Sequence, residues 1–171
     1  MPVARIHPVI VVAPDNPKAV KGLDDLKRAD VRVVLANPEL ASIGKTTRDV
    51  LQQAGMWGAL SQSSHVSFVG TVNEVAQAII IKAADSGIIC DSLAMQFDLQ
   101  VIEVDVLAQA QRWITVGVLT PNNKRTQSIN FARYLTARDR GLLAFAKYRF
   151  IPIEHAADWV DVPQDTLSGA P

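Results

Sequence analysis

The stretch from Asn37 to Thr47, NPELASIGKTT, is the part of the chain that most directly suggests a chemical role. An apolar run, Val31 to Ala36, precedes it, and an amphipathic segment that ends at Gly55 follows it. A strand that leads through a short polar loop into a helix leaves free backbone N–H groups at the helix start. Those groups and the positive end of the helix dipole attract an anion. The stretch therefore predicts half of an oxyanion site.

A second turn of the same kind lies at Gly70 to Val72. Val66 to Val69 reads as a strand, Thr71 is a good N-cap residue, and apolar residues then recur with helical spacing as far as Ala83. In an open α/β sheet, ligands bind at the edge where strands end and helices begin. Two helix starts at that edge would offer an anion several N–H donors that cannot lose a proton or swing away.

The predicted site residues are of two kinds. The donors are the backbone N–H groups of Ile43, Gly44 and Val72, and the lining residues are Ser42, Thr71 and Cys90. Two other interpretations stay open. Every α/β sheet has helix starts at this edge, most of them capped by water, and Cys90 could be a small buried apolar residue at a strand end.

Gly44-Lys45-Thr46 also suggests a nucleotide-binding loop, whose pattern is G-x-x-x-x-G-K-[ST]. The first glycine of that pattern falls at Glu39, where a carboxylate would face the phosphates. A nucleotide-binding enzyme nevertheless stays open as a further hypothesis. It requires magnesium-dependent ATP binding that Lys45→Ala abolishes. The three histidines stand far apart and have no Cys or His neighbour at ligand spacing, so we expect no metal, no cofactor and no catalytic group.

The composition is that of a globular protein, with 171 residues of which 49% are apolar. Lys and Arg total 17 and Asp and Glu total 17, and this zero net charge argues against nucleic acid or anionic membrane as the main partner. No apolar run is long enough to cross a bilayer. The first residues lack the features of a signal peptide, so the chain as written is expected to carry no export address.

Strands and helices alternate along most of the chain. Strands are predicted at Pro8 to Ala13, Val31 to Ala36, Val66 to Val69, Gly87 to Cys90 and Val101 to Val104. This alternation predicts an α/β fold with an open, mostly parallel sheet and helices on both faces. A long strand from Trp113 to Thr120 and two helices, about 125–137 and 138–147, follow. We expect a domain at 1–111, a return segment at 112–152 and an extended or disordered tail at 153–171.

Several segments occur in an order and spacing shared with a known family. They are Pro8-Val-Ile-Val-Val with Asn16-Pro-Lys, Val31 to Glu39 with Ile43-Gly44, Leu51 to Trp57, Asp85-Ser-Gly-Ile-Ile-Cys-Asp-Ser-Leu-Ala94, Phe131 to Asp139, and Phe145 to Phe150. Together they resemble the second lobe, and the return into the first lobe, of the periplasmic molybdate/tungstate-binding proteins of ABC transporters. These belong to the type II periplasmic solute-binding proteins. The likeness runs from about Pro8 to Pro152.

The resemblance implies a non-enzymatic protein that binds a tetrahedral oxyanion between two lobes, with a transporter permease as a partner and the periplasm as its location. It implies backbone donors at Ile43-Gly44 and Val72. It also places a tyrosine hydroxyl where this chain has Cys90, and a thiol cannot match the reach or strength of a phenol donor. A degenerate lobe that acts as a structural or regulatory interaction module without anion binding is the alternative.

The family also begins with a half-lobe that has no counterpart before Pro8. Without it, apolar residues after Trp113 would be uncovered, namely Ile114, Val116, Val118, Ile129 and Leu135. We therefore expect this segment to pack on the second lobe or to be exchanged with another copy in a homo-oligomer.

Overall fold

The computed structural model describes residues 1–119, 121 and 123–160, and the chain divides into two units. The larger unit is Ile6–Arg112, and the smaller combines Met1–Arg5 with the chain from Trp113 onward. Each unit contains a sheet of its own. Residues 1–5, which the sequence analysis grouped with the larger domain, belong to the smaller unit.

The larger unit is built on a five-stranded sheet in the order β4-β3-β5-β2-β6. Strand β3 pairs in parallel with β4 and β5, whereas β2 pairs antiparallel with β5 and β6. The predicted α/β fold is confirmed, and the sheet is a mixed one in which β2 runs against the other four strands. The strands are β2 (Pro8–Val12), β3 (Val33–Ala36), β4 (Val66–Val69), β5 (Ser86–Cys90) and β6 (Gln100–Ile102).

Helices cover both faces of this sheet, because its central strands are apolar on both sides. Ile10 and Val12 of β2 face one apolar cluster, and Val9 and Val11 face the other. On the first face lie a 3-10 helix (Leu23–Lys27), α1 (Ser42–Gln53), α2 (Trp57–Ser61) and α5 (Asp105–Ala108). On the second face lie α3 (Val72–Ile80) and α4 (Asp91–Gln96).

The smaller unit has a three-stranded sheet in the order β7-β1-β8, in which β1 and β8 are antiparallel. The buried residues of its apolar cluster are Val3, Ala4 and Leu142, and half-buried side chains such as Ile114 and Val116 surround them. Ala132 and Ala137 of the same unit are also buried. Its elements are β1 (Pro2–Ile6), β7 (Arg112–Thr115), α6 (Arg125–Thr136), α7 (Gly141–Lys147) and β8 (Ile151–Pro152).

Three features of the smaller unit differ from the sequence analysis. Strands β1 and β8 were not predicted, and β7 is shorter than the expected strand, whose last residue, Thr120, lies outside the described residues. Ile153 and Ala156, assigned to the tail, contact the apolar cluster, while 161–171 lie outside the described part of the chain. No helix in the described ranges has the length and apolar content needed to cross a membrane.

Candidate functional site

Three parallel strands of the larger unit end side by side at one edge of the sheet. Ala36 pairs with Val69 and Leu35 pairs with Ile88. Continuing these registers places Asn37 between Gly70 and Cys90, with neighbouring strands about 4.8 Å apart. The Asn37 N–H donates to the Val69 carbonyl over 2.8 Å, which extends the pairing beyond the strands. The structure therefore brings the starts of α1 and α3 to the edge at which Cys90 lies.

The start of α1 leaves backbone donors unused. Its N-cap residue is Ala41, which has no side-chain acceptor, and Lys45 N–H donates to the Ala41 carbonyl over 3.1 Å. Within the described part of the chain, no protein acceptor receives the N–H groups of Ser42, Ile43 or Gly44. Ser42 is exposed, whereas Ile43 and Gly44 are buried. These are the amides that the sequence analysis proposed as donors, together with the adjoining Ser42.

Gly44 fixes where these amides lie, because the backbone of α1 touches the end of β3 at this residue. A Cβ atom at position 44 would stand 2.4 Å from the Ala36 carbonyl oxygen and 2.7 Å from that of Asn37. No side chain fits at those distances. The glycine therefore allows the first turn of α1 to sit directly against the strand end.

The start of α3 is a capping box. The Thr71 hydroxyl accepts from the Glu74 N–H over 3.3 Å, and the Glu74 carboxylate accepts from the N–H groups of Gly70 (2.8 Å) and Thr71 (3.4 Å). The Val72 N–H has no acceptor among the described residues. The Val72 amide is thus available to a ligand, while the Thr71 amide is not.

Glu74 is the residue that the sequence analysis missed at this edge. Its spacing from Thr71, T-x-x-E before an apolar helix, is the signal for a capping box and could have revealed it. The carboxylate adds a negative charge beside the predicted donors, so it opposes an anion there. By contrast, the Glu39 carboxylate of the preceding loop is paired with Arg48 over 2.7 Å.

The loops before α1 and α3 touch each other. The Leu40 side chain lies 3.9 Å from the point where a Cβ atom of Gly70 would stand, and Leu40 itself is 71% exposed. The two helices nevertheless cover opposite faces of the sheet. Their first turns therefore flank the row of strand ends from both sides.

Cys90 ends β5 and is half-buried. The buried Ser92 hydroxyl lies 3.8 Å from its Sγ atom and can donate to it. The position of Cys90 suits a lining residue, and its contact with a ligand stays a prediction. No group of three or more His, Cys, Asp or Glu within residues 1–119, 121 and 123–160 has a geometry that could hold a metal ion. The chemistry that this edge offers is hydrogen bonding to an anion.

The family comparison decides the class of the protein. The sequence model of the bacterial extracellular solute-binding proteins matches residues 1–148. The chain belongs to this solute-binding family. The comparison with curated proteins gives no match.

Solved structures similar to this solute-binding protein include two connected with molybdenum. One is a substrate-binding domain assigned to a molybdenum ABC transporter from Clostridium difficile, with a TM-score of 0.70, 21% identity, and coverage of 88% of this chain and 65% of that one. Another is the periplasmic molybdate-binding protein of Azotobacter vinelandii, with a TM-score of 0.63, 12% identity, and coverage of 88% and 69%.

A third similar structure is PEB3 with bound L-phospholactate, with a TM-score of 0.66, 19% identity, and coverage of 91% of this chain and 68% of that one. Sequence identities at this level show that the fold is shared, and they carry no information about which ligand is bound. This solute-binding protein spans 65 to 69% of the length of these three structures.

Proposed function

We propose that this solute-binding protein takes a small tetrahedral oxyanion of the molybdate type as the binding component of an ABC transporter. The observation that carries the proposal is the set of unused amides at one sheet edge, from Ser42, Ile43 and Gly44 of α1 and from Val72 of α3. The molybdenum-related neighbours support the choice of anion, and family membership supports binding rather than catalysis.

Backbone amides suit such a ligand for a physical reason. An oxyanion presents oxygens in several directions, and N–H groups at two helix starts can meet them without a full positive charge. Hydrogen bonds to a charged acceptor each contribute about 1.5–3 kcal/mol. Since Gly44 holds α1 against the strand end, its donors are in place before the anion arrives. The larger unit would supply this half of the site.

Isothermal titration calorimetry with molybdate, tungstate and sulfate tests the proposal. We expect saturable binding of at least one of the three anions. No heat with any of them at high protein concentration would remove the transport function. A protein that folds but binds none of them would instead fit the interaction module that the sequence analysis kept as an alternative.

Val72→Pro removes one proposed donor without disturbing the helix. Val72 is the first residue of α3, where proline is well tolerated, and Thr71 has φ −134° and ψ 158°, which suits the residue before a proline. We expect about tenfold weaker binding, since about 1.4 kcal/mol corresponds to that factor. Val72→Ala keeps the N–H and is the matched control, with affinity within about twofold of the parent. Equal affinities of the two variants would exclude the Val72 amide as a donor.

Self-association also stays a proposal. Large apolar side chains of the smaller unit are exposed, including Phe131 (62%), Leu143 (61%) and Tyr148 (57%), and such surfaces commonly mark an interface. A second copy of the chain that covers them would give a dimer. Light scattering is expected to show a mass above that of the monomer, and a stable monomer without dye binding to exposed apolar surface would contradict it.

A further inference from the structure

His7 lies in a cluster of charged side chains next to the proposed site. Its ring Nδ1 is 3.2 Å from Asp91 Oδ2, and its Nε2 is 3.2 Å from Glu103 Oε2. A carboxylate can only accept hydrogen bonds, so both contacts are made fully when both ring nitrogens carry a proton. The geometry is therefore that of an imidazolium between two carboxylates.

The backbone holds His7 and Asp91 together as well. The His7 N–H donates to Asp91 Oδ1 over 3.3 Å, and the Asp91 N–H donates to the His7 carbonyl over 3.0 Å. Both side chains are largely buried, with 12% and 13% of their surfaces exposed, whereas the Glu103 side chain is 59% exposed. His7 and Asp91 are thus the fixed pair of this cluster, and Glu103 is its outer member.

Asp91 connects this cluster to the oxyanion site. It directly follows Cys90, which the sheet register places beside Asn37 in the row of strand ends. An ionised carboxylate one residue beyond that row repels an anion bound at the starts of α1 and α3. A proton on His7 cancels that charge, because the ring lies directly against the carboxylate.

We propose that His7 sets the pH dependence of oxyanion binding by neutralising Asp91 when the imidazole is protonated. This inference rests on the proposed function of the same edge. Histidine is the side chain that ordinarily changes charge between about pH 5 and 8. With an unprotonated ring, the negative charges of Asp91 and Glu103 are uncompensated, and the anion is held less tightly.

The other ionisable groups at this edge do not reproduce the effect. Glu39 is paired with Arg48, whose guanidinium stays charged in this range, and Glu74 is bonded to the amides of Gly70 and Thr71. Cys90 pairs with Pro8, the residue next to His7. His65 lies elsewhere in the unit and contacts the Leu26 carbonyl over 3.1 Å.

Calorimetric titration with molybdate from pH 6.0 to 8.5 tests the inference on the full chain. The parent protein is expected to lose affinity by about two- to tenfold as the pH rises, which is the size of effect expected of one charge near the site in a largely aqueous surrounding. His7→Gln should hold the weak affinity at every pH. Asp91→Asn, in which His7 still changes charge, should bind more tightly than the parent at every pH and keep a pH slope. His65→Gln, the matched control, should keep the parent slope, and circular dichroism should show that each variant is folded.

The outcomes separate the two proposals. A His7→Gln variant that binds molybdate with the pH slope of the parent would overturn the role of His7 and leave the proposed function standing. Absence of binding of molybdate, tungstate and sulfate at every pH would overturn the proposed function and this inference with it. A weak, pH-independent affinity of His7→Gln, together with a tighter affinity of Asp91→Asn at every pH, would establish the charge pair as the control element.

Discussion

At the scale of single residues, the balance between amide donors and nearby carboxylates would decide how well the proposed anion is held. The donors come from the backbone, so no change of side chain removes them unless it introduces proline. The carboxylate of Glu74, by contrast, is a side chain that both caps α3 and opposes an anion. Its two roles have opposite effects on stability and on binding.

Glu74→Gln is expected to raise oxyanion affinity about two- to tenfold. The amide oxygen of glutamine still accepts from the Gly70 and Thr71 N–H groups, while the negative charge beside the donors is removed. Loss of the favourable charge at a helix start should cost about 0.3–1 kcal/mol of stability. Calorimetry with molybdate and thermal denaturation measure the two effects.

Asp98→Asn is the matched control for this charge change. Asp98 lies beyond the end of α4, beside Ala13 at the opposite edge of the sheet from the strand ends. It should leave affinity unchanged within about twofold. Equal gains from both variants would mean that only the overall charge of the protein matters.

At the scale of elements, some strands and helices could be predicted from the sequence and others could not. The apolar runs of β2 and β3 and the helical spacing in α3 predicted those elements because burial leaves a periodic pattern. The antiparallel orientation of β2 in the sheet could not be predicted from the sequence, since a run of apolar residues does not show in which direction the strand runs. Strand β1 was missed because its partner β8 is two residues long and about 147 positions away.

The site shows the same division. Gly44 and Thr71 were recognised from local patterns, whereas the contact of Gly44 with Ala36 and that of Thr71 with Glu74 were not predicted. The ring contacts of His7 with Asp91 and Glu103 join three separate segments, so no local pattern announces them. Long-range electrostatics of this kind requires the folded structure.

Gly44→Ala tests the contact between α1 and β3. The added methyl group would meet the Ala36 carbonyl oxygen at 2.4 Å, so α1 must shift, and we expect about 3 kcal/mol of destabilisation together with weakened anion binding. Gly58→Ala in α2 is the control, since nothing lies within 4 Å of its added methyl group. That variant should gain about 0.4–1 kcal/mol. Urea denaturation compares them, and similar stabilities would refute the close contact.

The ion pair between Arg32 and Asp85 joins the starts of β3 and β5. Arg32 Nη2 lies 2.8 Å from Asp85 Oδ1, and hydrogen bonds from the Arg32 side chain hold the pKa of the Asp85 carboxyl below its usual value. A depressed folded-state pKa gives stability that is present above the unfolded pKa of about 3.9 and lost as the pH falls through the folded value.

Asp85→Asn should therefore lose about 1 kcal/mol at pH 7, a small value because the Arg32 side chain is 53% exposed. It should also lose less stability than the parent when the pH is lowered from 5 to 2. Urea denaturation across this range measures both changes. A variant that follows the parent curve in parallel would show that the pair does not contribute to acid sensitivity.

At the scale of the whole molecule, the zero net charge conceals two differently charged units. The described residues of the smaller unit contain eight Lys and Arg but three Asp and Glu, whereas residues 6–112 contain nine and twelve. The three acids of the smaller unit are each within ion-pair distance of an arginine, as in Arg138 with Asp158. The net charge is thus zero for the chain as a whole, whereas the described part of the smaller unit is positively charged.

Hydrogen exchange should distinguish the units. The larger unit has two large buried apolar clusters, whereas the apolar cluster of the smaller unit has three buried residues, Val3, Ala4 and Leu142. Local opening is easier where few apolar contacts must be broken. We expect amides of α6 and α7 to exchange at least about tenfold faster than those of β2 and β3, as measured by mass spectrometry. Equal protection throughout would indicate a single cooperative unit.

The contact at Gly44 has a consequence for how ligand preference can diverge. The glycine and the two carbonyl oxygens that it touches are main-chain features, so the donors of α1 stay in place when surrounding side chains change. Replacements at Ser42, Thr71 or Cys90, the proposed lining residues, would alter the width and polarity of the site while the backbone donors stay unchanged. Related proteins could therefore change their ligand preference by a few substitutions of lining residues, without any change in the backbone amides that would bind the negative charge.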